Sequence, residues 1–442
     1  MLSRTMTAGV LQRARAAVMR SDGTRKFAAD SLWAALDSLG ARGLALLAMM
    51  LAARMLGASE FGKLAAVLGT AQLVAGLLAD SMRYTAATQI AASGGAVRGA
   101  RSAIVTLVIW ATAATAAVCA LGLLLSAPLL ARLVFTSASL EPALRVAALF
   151  LFCEALGGLA QGILTGFRHF RTLAYTGLAR GLLVLPLVAW LAGSGMVSAL
   201  WAFVIASAAS VLIRAATIGA TLKSQHLSAF APVTRRELAV LWRVSVPGLM
   251  VSLITVPVNW LGIIMLVRSP GGYGEMGVLG AANQWFSMLL FIPSVLSTVT
   301  LPIFSQRHAS GEPGSMRRVL KVSVRLSLLA AVPPALAIAA ASPWLMGLYG
   351  ADFARGWPAL ALVALAAIAA STLNMLLNAL GASGRMFHVL TSQLLWALAY
   401  LLSAYLLLRA GLGASAIAAA MLIGSVCRLT LAVYWTRRLE QC

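Results

Sequence analysis

Along most of this chain apolar residues run for about 20 positions before a short polar break, with no polar face recurring every three or four residues. Segments apolar all round are buried in protein or in lipid, and about 20 such residues let a helix cross the hydrocarbon core. Twelve windows fit: 32–53, 62–82, 103–126, 143–166, 172–192, 198–220, 245–267, 278–301, 323–346, 358–380, 387–408 and 412–435. Prolines fall inside several of them (Pro186, Pro247, Pro257, Pro293, Pro333, Pro334). A membrane helix tolerates such kinks where neighbours or water satisfy the freed carbonyls. The pattern predicts an all-α polytopic membrane protein.

Composition strengthens this reading. Hydrophobic residues make up 61% of the chain and charged ones only 10%, whereas soluble domains hold about 45–50% and 25%. The net charge of +22 does not point to nucleic acid, because the basic residues lie between apolar spans rather than on one amphipathic face. In a membrane protein they report orientation instead. Twenty-three Lys and Arg fall on the side of the termini and seven on the other, which places both termini in the cytoplasm. Residues 1–31 read as a basic amphipathic segment, with Leu2, Met6, Val10, Ala14 and Val18 between arginines, suited to an anionic membrane face. Cys119, Cys153, Cys427 and Cys442 have no CxxC spacing, and the four histidines are spread over four loops, so neither disulfides nor a metal site is expected.

The breaks contain an internal echo. Glu60-Phe61-Gly62 matches Glu275-Met276-Gly277 at an offset of 215, and Leu133 within LVFTSASLEP matches Leu348 within LYGADFARGWP. LTGFRHF matches GASGRMF, with Arg168 against Arg385. Two halves follow: an N-terminal six-helix lobe (32–222) and a C-terminal one (244–442), joined by a cytoplasmic linker (223–243). Thr234 and Glu237 form a T-x-x-E capping box opening a short helix in that linker. Six spans is an even number, so both halves enter from the same side. A pseudo-twofold along the membrane normal would relate them around a central cavity.

RMLGASEFG (Arg54 to Gly62), GVLGAANQWFSMLLFIPSVLSTVTLPIFS (277–305) and LYGADFARGWPALALVALAAI (348–368) carry a resemblance. With GASGRMFHVLTSQLLWALAYLLSAYLLL (381–408), they resemble the polysaccharide transporter or O-antigen flippase family. That family belongs to the multidrug/oligosaccharidyl-lipid/polysaccharide exporter superfamily. The resemblance implies a bacterial inner-membrane flippase. It would move a polyprenyl-pyrophosphate-linked oligosaccharide from the cytoplasmic to the periplasmic leaflet by alternating access, for O-antigen, capsule or exopolysaccharide synthesis. It also implies contact with membrane lipids and with glycan polymerase or export machinery, and no nucleic acid. No cofactor is implied; coupling to protons, sodium or membrane potential stays open.

Sugars and diphosphates lose their hydration in hydrocarbon, so polar residues inside spans are the candidates for a hydrated route. A charge at mid-span costs about 2.5–3.5 kcal/mol on insertion scales. Arg42 lies near the middle of span 1 and Glu154 near the middle of span 4. They are read as a midplane pair in which the arginine meets the diphosphate. Arg180, Arg214 and Arg428 share a depth of about 10 Å from the cytoplasmic end, reckoned from helix rise. They are read as a phosphate-binding ring, with Asp37 as a partner for one of them. Gln161 and Asn378, equivalent in the two halves, and Asn283 offer amides to sugar hydroxyls, with helix–helix bonding as their other role. Arg83 reads as an interfacial residue.

Gly272 to Gly277 formally spells GxGxxG, but no strand precedes it and it reads as a short periplasmic loop, so a dinucleotide site is rejected. Two alternatives remain. A multidrug antiporter of the same superfamily would want acidic rather than basic lumenal residues. A membrane glycan polymerase or ligase would want a larger extracytoplasmic loop.

Overall fold

The computed structural model describes residues 22–92, 98–234, 246–297, 315–383 and 385–439, together with positions 239, 300 and 304. Helices joined by turns and short irregular segments account for the described residues, with no strand among them. Helix α1 runs Asp22–Ala92, α2 Arg98–Leu129, α3 Glu141–Gly166, α4 Phe170–Leu191 and α5 Met196–Ser224. Then come α6 Val246–Val267, α7 Gly272–Leu289, α8 Ser315–Gly347, α9 Trp357–Ala382, α10 Met386–Arg409 and α11 Gly413–Leu439. Among the described residues, ten helices are long and apolar enough to cross a membrane, and eleven if α7 is joined to the segment 291–297 that follows it.

The first of these contains two rods. Its apolar stretch, Gly40–Ala91, has 52 residues, about 78 Å at 1.5 Å per residue, against a hydrocarbon core of about 30 Å. The rods meet at Gly57, whose φ of 74° and ψ of 170° interrupt the helix. Glycine adopts a positive φ without the clash a Cβ would bring. A single hinge residue thus does what a loop was expected to do.

Span 8 also differs from expectation. α7 begins at Gly272, so the glycines of the formal GxGxxG lie in its opening turns rather than in a loop. It ends at Leu289, and residues 291–297 continue at an angle of 41°. Pro293 sits four residues past Leu289; it has no N–H for that carbonyl, and its ring crowds it.

Helices α1 to α5 pack among themselves, as do α6 to α11, giving two lobes that meet chiefly where α1 lies against α6 and α7. Small residues line the contacts: Ala48, Ala52, Ala53, Ala66 and Ala71 on α1 are fully buried, which lets helix axes approach closely. Leu125, Leu329 and Leu398 point outward, an arrangement that lipid favours and water does not. The basic segment before residue 22, Glu237 of the capping box, and nearly all of the helix expected after it lie outside the described residues.

The lobes touch most closely beside the hinge, at the face opposite the chain termini. A Cβ on Gly62 would stand 1.7 Å from the Tyr273 carbonyl oxygen, and one on Gly277 would stand 2.3 Å from that of Ala58. Gly280 and Ala65, again 215 apart, face each other in the same way, at 2.8 Å from such an added carbon. The glycines of the sequence echo therefore pack against one another. Phe61, fully buried, sets its ring edge-on to Phe353 across the same seam at 5.8 Å.

Candidate functional site

Two cavities, one mainly polar and one mainly apolar, share one wall. The first, about 280 Å³, lies wholly within the N-terminal lobe between α1, α3, α4 and α5. On α3, Glu154, Gly157, Gly158 and Gln161 fall at helical spacing on one face; on α5, Ser207, Ser210 and Arg214 do the same. The glycines let α1 come close: a Cβ at Gly158 would lie 2.6 Å from that of Ala79, and one at Gly162 2.5 Å from the Arg83 carbonyl. This approach brings Arg83 to the cavity lining.

Inside it, Glu154 is held from two directions. Arg180 on α4 donates to it through both terminal nitrogens, at 2.5 and 3.4 Å, and the Ser207 hydroxyl donates at 2.7 Å. Arg214, 8% exposed, donates from Nε to the Thr176 hydroxyl at 3.1 Å and from Nη1 to the Gly157 carbonyl at 3.2 Å. Among the described residues, three guanidinium groups and one carboxylate, that of Glu154, thus border the cavity. Guanidinium stays charged at any physiological pH and offers paired donors to oxyanions.

The second cavity, about 450 Å³, is the cleft between the lobes. Gln72 of α1, Asn259 of α6, and Asn283 and Gln284 of α7 supply amides, set among apolar residues such as Met49, Phe150 and Leu279. The Asn283 side-chain oxygen is buried with no hydrogen-bond partner, whereas Asn259 donates to the Thr255 carbonyl at 2.9 Å. Gln72 and Arg180 border both cavities and so form the shared wall.

The structure redistributes the residues expected from sequence. Glu154 pairs with Arg180, not Arg42. Arg42 instead crosses to the other lobe, donating to the Ser287 carbonyl at 2.8 Å and lying 5.6 Å from the Phe291 ring centre. The reason is rotational: Arg42 is on the part of α1 that faces α7, while Arg180 leaves α4 beside Glu154. The expected ring of three is divided. Arg180 and Arg214 share the N-lobe cavity, but Arg428 sits on α11 and donates to Ser392 of α10 at 3.2 Å. A common depth does not say which way each side chain faces: Arg428, in the C-terminal lobe by its place in the chain, bonds within that lobe rather than joining Arg180 and Arg214. Gln161 and Asn283 line the cavities; Asn378 is not among the lining residues of either. Asp37 is in α1, its side chain outside the described residues. Sequence reasoning missed Gln72, Ser207 and Ser210, and assigned Arg83 to the interface. The spacing of Ser207, Ser210 and Arg214 at i, i+3 and i+7 was the available signal.

Residues 27–308 match the family model described as polysaccharide biosynthesis protein. The chain belongs to this family. Among the chain's curated relatives is an EPS I polysaccharide export inner membrane protein, EpsE, of Ralstonia nicotianae. It is 26% identical over 70% of this chain and 71% of the relative. Another is a succinoglycan biosynthesis transport protein, ExoT, of Rhizobium meliloti, 28% identical over 75% of this chain and 64% of its own length. Two solved structures share the fold. The lipid II flippase MurJ in an inward closed conformation superposes with a TM-score of 0.73, covering 92% of this chain and 87% of MurJ at 12% identity. An inward-facing multidrug resistance transporter of the MATE family gives 0.70, over 93% and 94% of the two chains at 16% identity. At those identities the likeness concerns architecture alone.

Proposed function

We propose that this chain is a membrane flippase that carries a polyprenyl-pyrophosphate-linked oligosaccharide across the inner membrane for surface polysaccharide synthesis. It is a transporter and not an enzyme. The observation that carries the reading is Arg180, tethered by Glu154 at the wall between an arginine-bordered cavity and an amide-bearing cleft. Export relatives and the two-lobe fold support it.

The chemistry follows from what each part of the substrate loses on entering hydrocarbon. A diphosphate needs fixed cations in place of water, and the guanidinium groups of Arg180, Arg214 and Arg83 provide them. Sugar hydroxyls need donors and acceptors that exchange readily, and Gln72, Asn283 and Gln284 supply both. The prenyl tail stays in lipid and needs no site. Glu154 keeps Arg180 oriented and partly neutralised until an anion competes for it. A cavity bordered this way disfavours organic cations, which sets the reading apart from a multidrug antiporter.

We also assign the finer features here. Counting α1 as two spans hinged at Gly57, and α7 with residues 291–297 as one, makes twelve spans in two lobes of six. The termini are cytoplasmic, as the basic loops require.

The test is made in vesicles and in cells. Purified protein in liposomes loaded with the host's lipid-linked glycan should make that glycan accessible to a glycosidase outside. Deletion of the gene should cause the same intermediate to accumulate in the cytoplasmic leaflet. Normal surface polysaccharide in the deletion strain would overturn the proposal.

A further inference from the structure

The face opposite the termini is held by two arginines that do the same thing in opposite directions. Arg54, at the end of the first rod of α1 in the N-terminal lobe, donates from Nε to the Leu348 carbonyl of the C-terminal lobe at 2.6 Å. Arg268, just past the end of α6 in the C-terminal lobe, donates from Nε to the Val134 carbonyl of the N-terminal lobe at 3.1 Å. Its Nη2 also donates to the Leu133 carbonyl. Leu133 and Leu348 are the residues matched in the sequence echo, 215 apart, and Arg54 and Arg268 are 214 apart. One contact is the image of the other.

The acceptors are alike in kind. Leu133 and Val134 close the π-helical turn Leu130–Val134 that ends the third span, and Leu348 follows the last residue of α8, Gly347. The final carbonyls of a helix have no partner within it and carry the negative end of its dipole. A guanidinium satisfies both the hydrogen bond and the charge. In each lobe, then, the first span ends on an arginine that caps the third span of the other lobe.

Between the two contacts lies the backbone seam of Gly62 and Gly277, and the Tyr273 hydroxyl donates across it to the Phe135 carbonyl at 2.5 Å. Both arginines are exposed to water, so each contact is modest and easily exchanged for hydration. Their arrangement makes them cooperative: opening this face separates both acceptors from both donors at once, and while either contact holds, the other donor stays near its carbonyl.

We propose that Arg54 and Arg268 are the gate residues of the transport cycle, a reciprocal latch whose joint release opens the face opposite the termini. The proposal rests on the reading of the chain as an alternating-access transporter, but not on the identity of its substrate.

The test measures the gate directly and needs no substrate. Cys119, Cys153, Cys427 and Cys442 are replaced, and spin labels are placed at Ser139→Cys and Ala351→Cys, exposed positions of opposite lobes beside the two acceptors. Double electron–electron resonance on the full chain in lipid nanodiscs then gives the distance distribution. The unmodified gate should show one dominant short distance. Arg54→Ala and Arg268→Ala should each add a longer population, and the double variant should raise the long-to-short ratio at least tenfold. Arg54→Lys and Arg268→Lys, which keep a cationic donor, should remain mainly short. Arg132→Ala, an exposed arginine of the same face, should leave the distribution unchanged. Should the alanine pair not fold, Arg54→Gln and Arg268→Gln take its place with the same expectation. An unchanged distribution in the double variant, or an equal shift in Arg132→Ala, would overturn the latch. Failure of the unmodified protein to move the glycan in liposomes, with the distances behaving as described, would instead count against the proposed substrate.

Discussion

Replacing Gly62 with alanine should force the lobes apart at the seam, and the structure sets the scale. The new Cβ would stand 1.7 Å from the Tyr273 carbonyl oxygen, 2.7 Å from its carbon and 2.8 Å from the Gly277 nitrogen, where ordinary contact begins at 3.4 Å. All three atoms are main chain, so no side chain can swing aside, and α7 must retreat by about 1.5 Å or more. Overpacking a close contact costs about 1–3 kcal/mol, which shifts a two-state equilibrium by about 5- to 150-fold. The cost falls only on the state in which the seam is closed. The assay is alkylation of a cysteine at Asn283, in the cleft, by an impermeant reagent applied from the face opposite the termini. Gly62→Ala should raise the labelling rate at least fivefold. Gly277→Ala, whose Cβ would meet the Ala58 carbonyl at 2.3 Å, should do so less. Gly122→Ala, with nothing within 4 Å, should match the parent. A correctly folded Gly62→Ala labelled at the parental rate would refute the argument that backbone contact closes this face.

Other consequences can be checked separately. Arg180→Ala leaves Glu154 without its cation; because the two side chains are 34% and 22% exposed, water screens the loss, and the stability cost should be about 1–2 kcal/mol rather than the 3–5 of a fully buried pair. Export should fall more than tenfold, and Arg180→Ala with Glu154→Gln should recover stability but not export; recovery of export would make the pair purely structural. Phe61→Ala empties a fully buried site against Phe353 and should destabilise the protein by about 3–5 kcal/mol, read by thermal unfolding in detergent. Reporter fusions at Ser139 and Ser228 should report opposite sides, periplasmic at Ser139; the reverse pattern would invert the topology.

Much of the architecture was legible from hydrophobic runs alone, because lipid imposes one requirement on every segment: satisfy the backbone internally and cover it with apolar side chains. Residues such as Leu125 and Leu398 obey that rule wherever the helix sits. The echo of Glu60-Phe61-Gly62 in Glu275-Met276-Gly277 was equally legible, being a one-dimensional comparison. The hinge at Gly57 and the bend after Leu289 were not. Both depend on how one residue resolves its backbone between two apolar runs, and Pro293 looks no different in sequence from prolines that leave their helices unbroken.

The candidate site divides along the same line. Sequence determined which residues carry an unfavourable charge or amide in a span, and Arg42, Glu154, Arg180, Arg214 and Arg428 stand out on that ground alone. Depth along a helix could be counted from helix rise, but direction around the axis could not be assigned between segments far apart in the chain. Tertiary packing therefore decided that Glu154 meets Arg180, that Arg42 reaches Ser287, and that Arg428 bonds Ser392 within its own lobe rather than joining Arg180 and Arg214. It also turned Arg54 and Arg268, which read as ordinary loop charges, into matched contacts on each other's lobes. Their acceptors are main-chain carbonyls, whose availability depends on where a helix ends and which lobe that end faces.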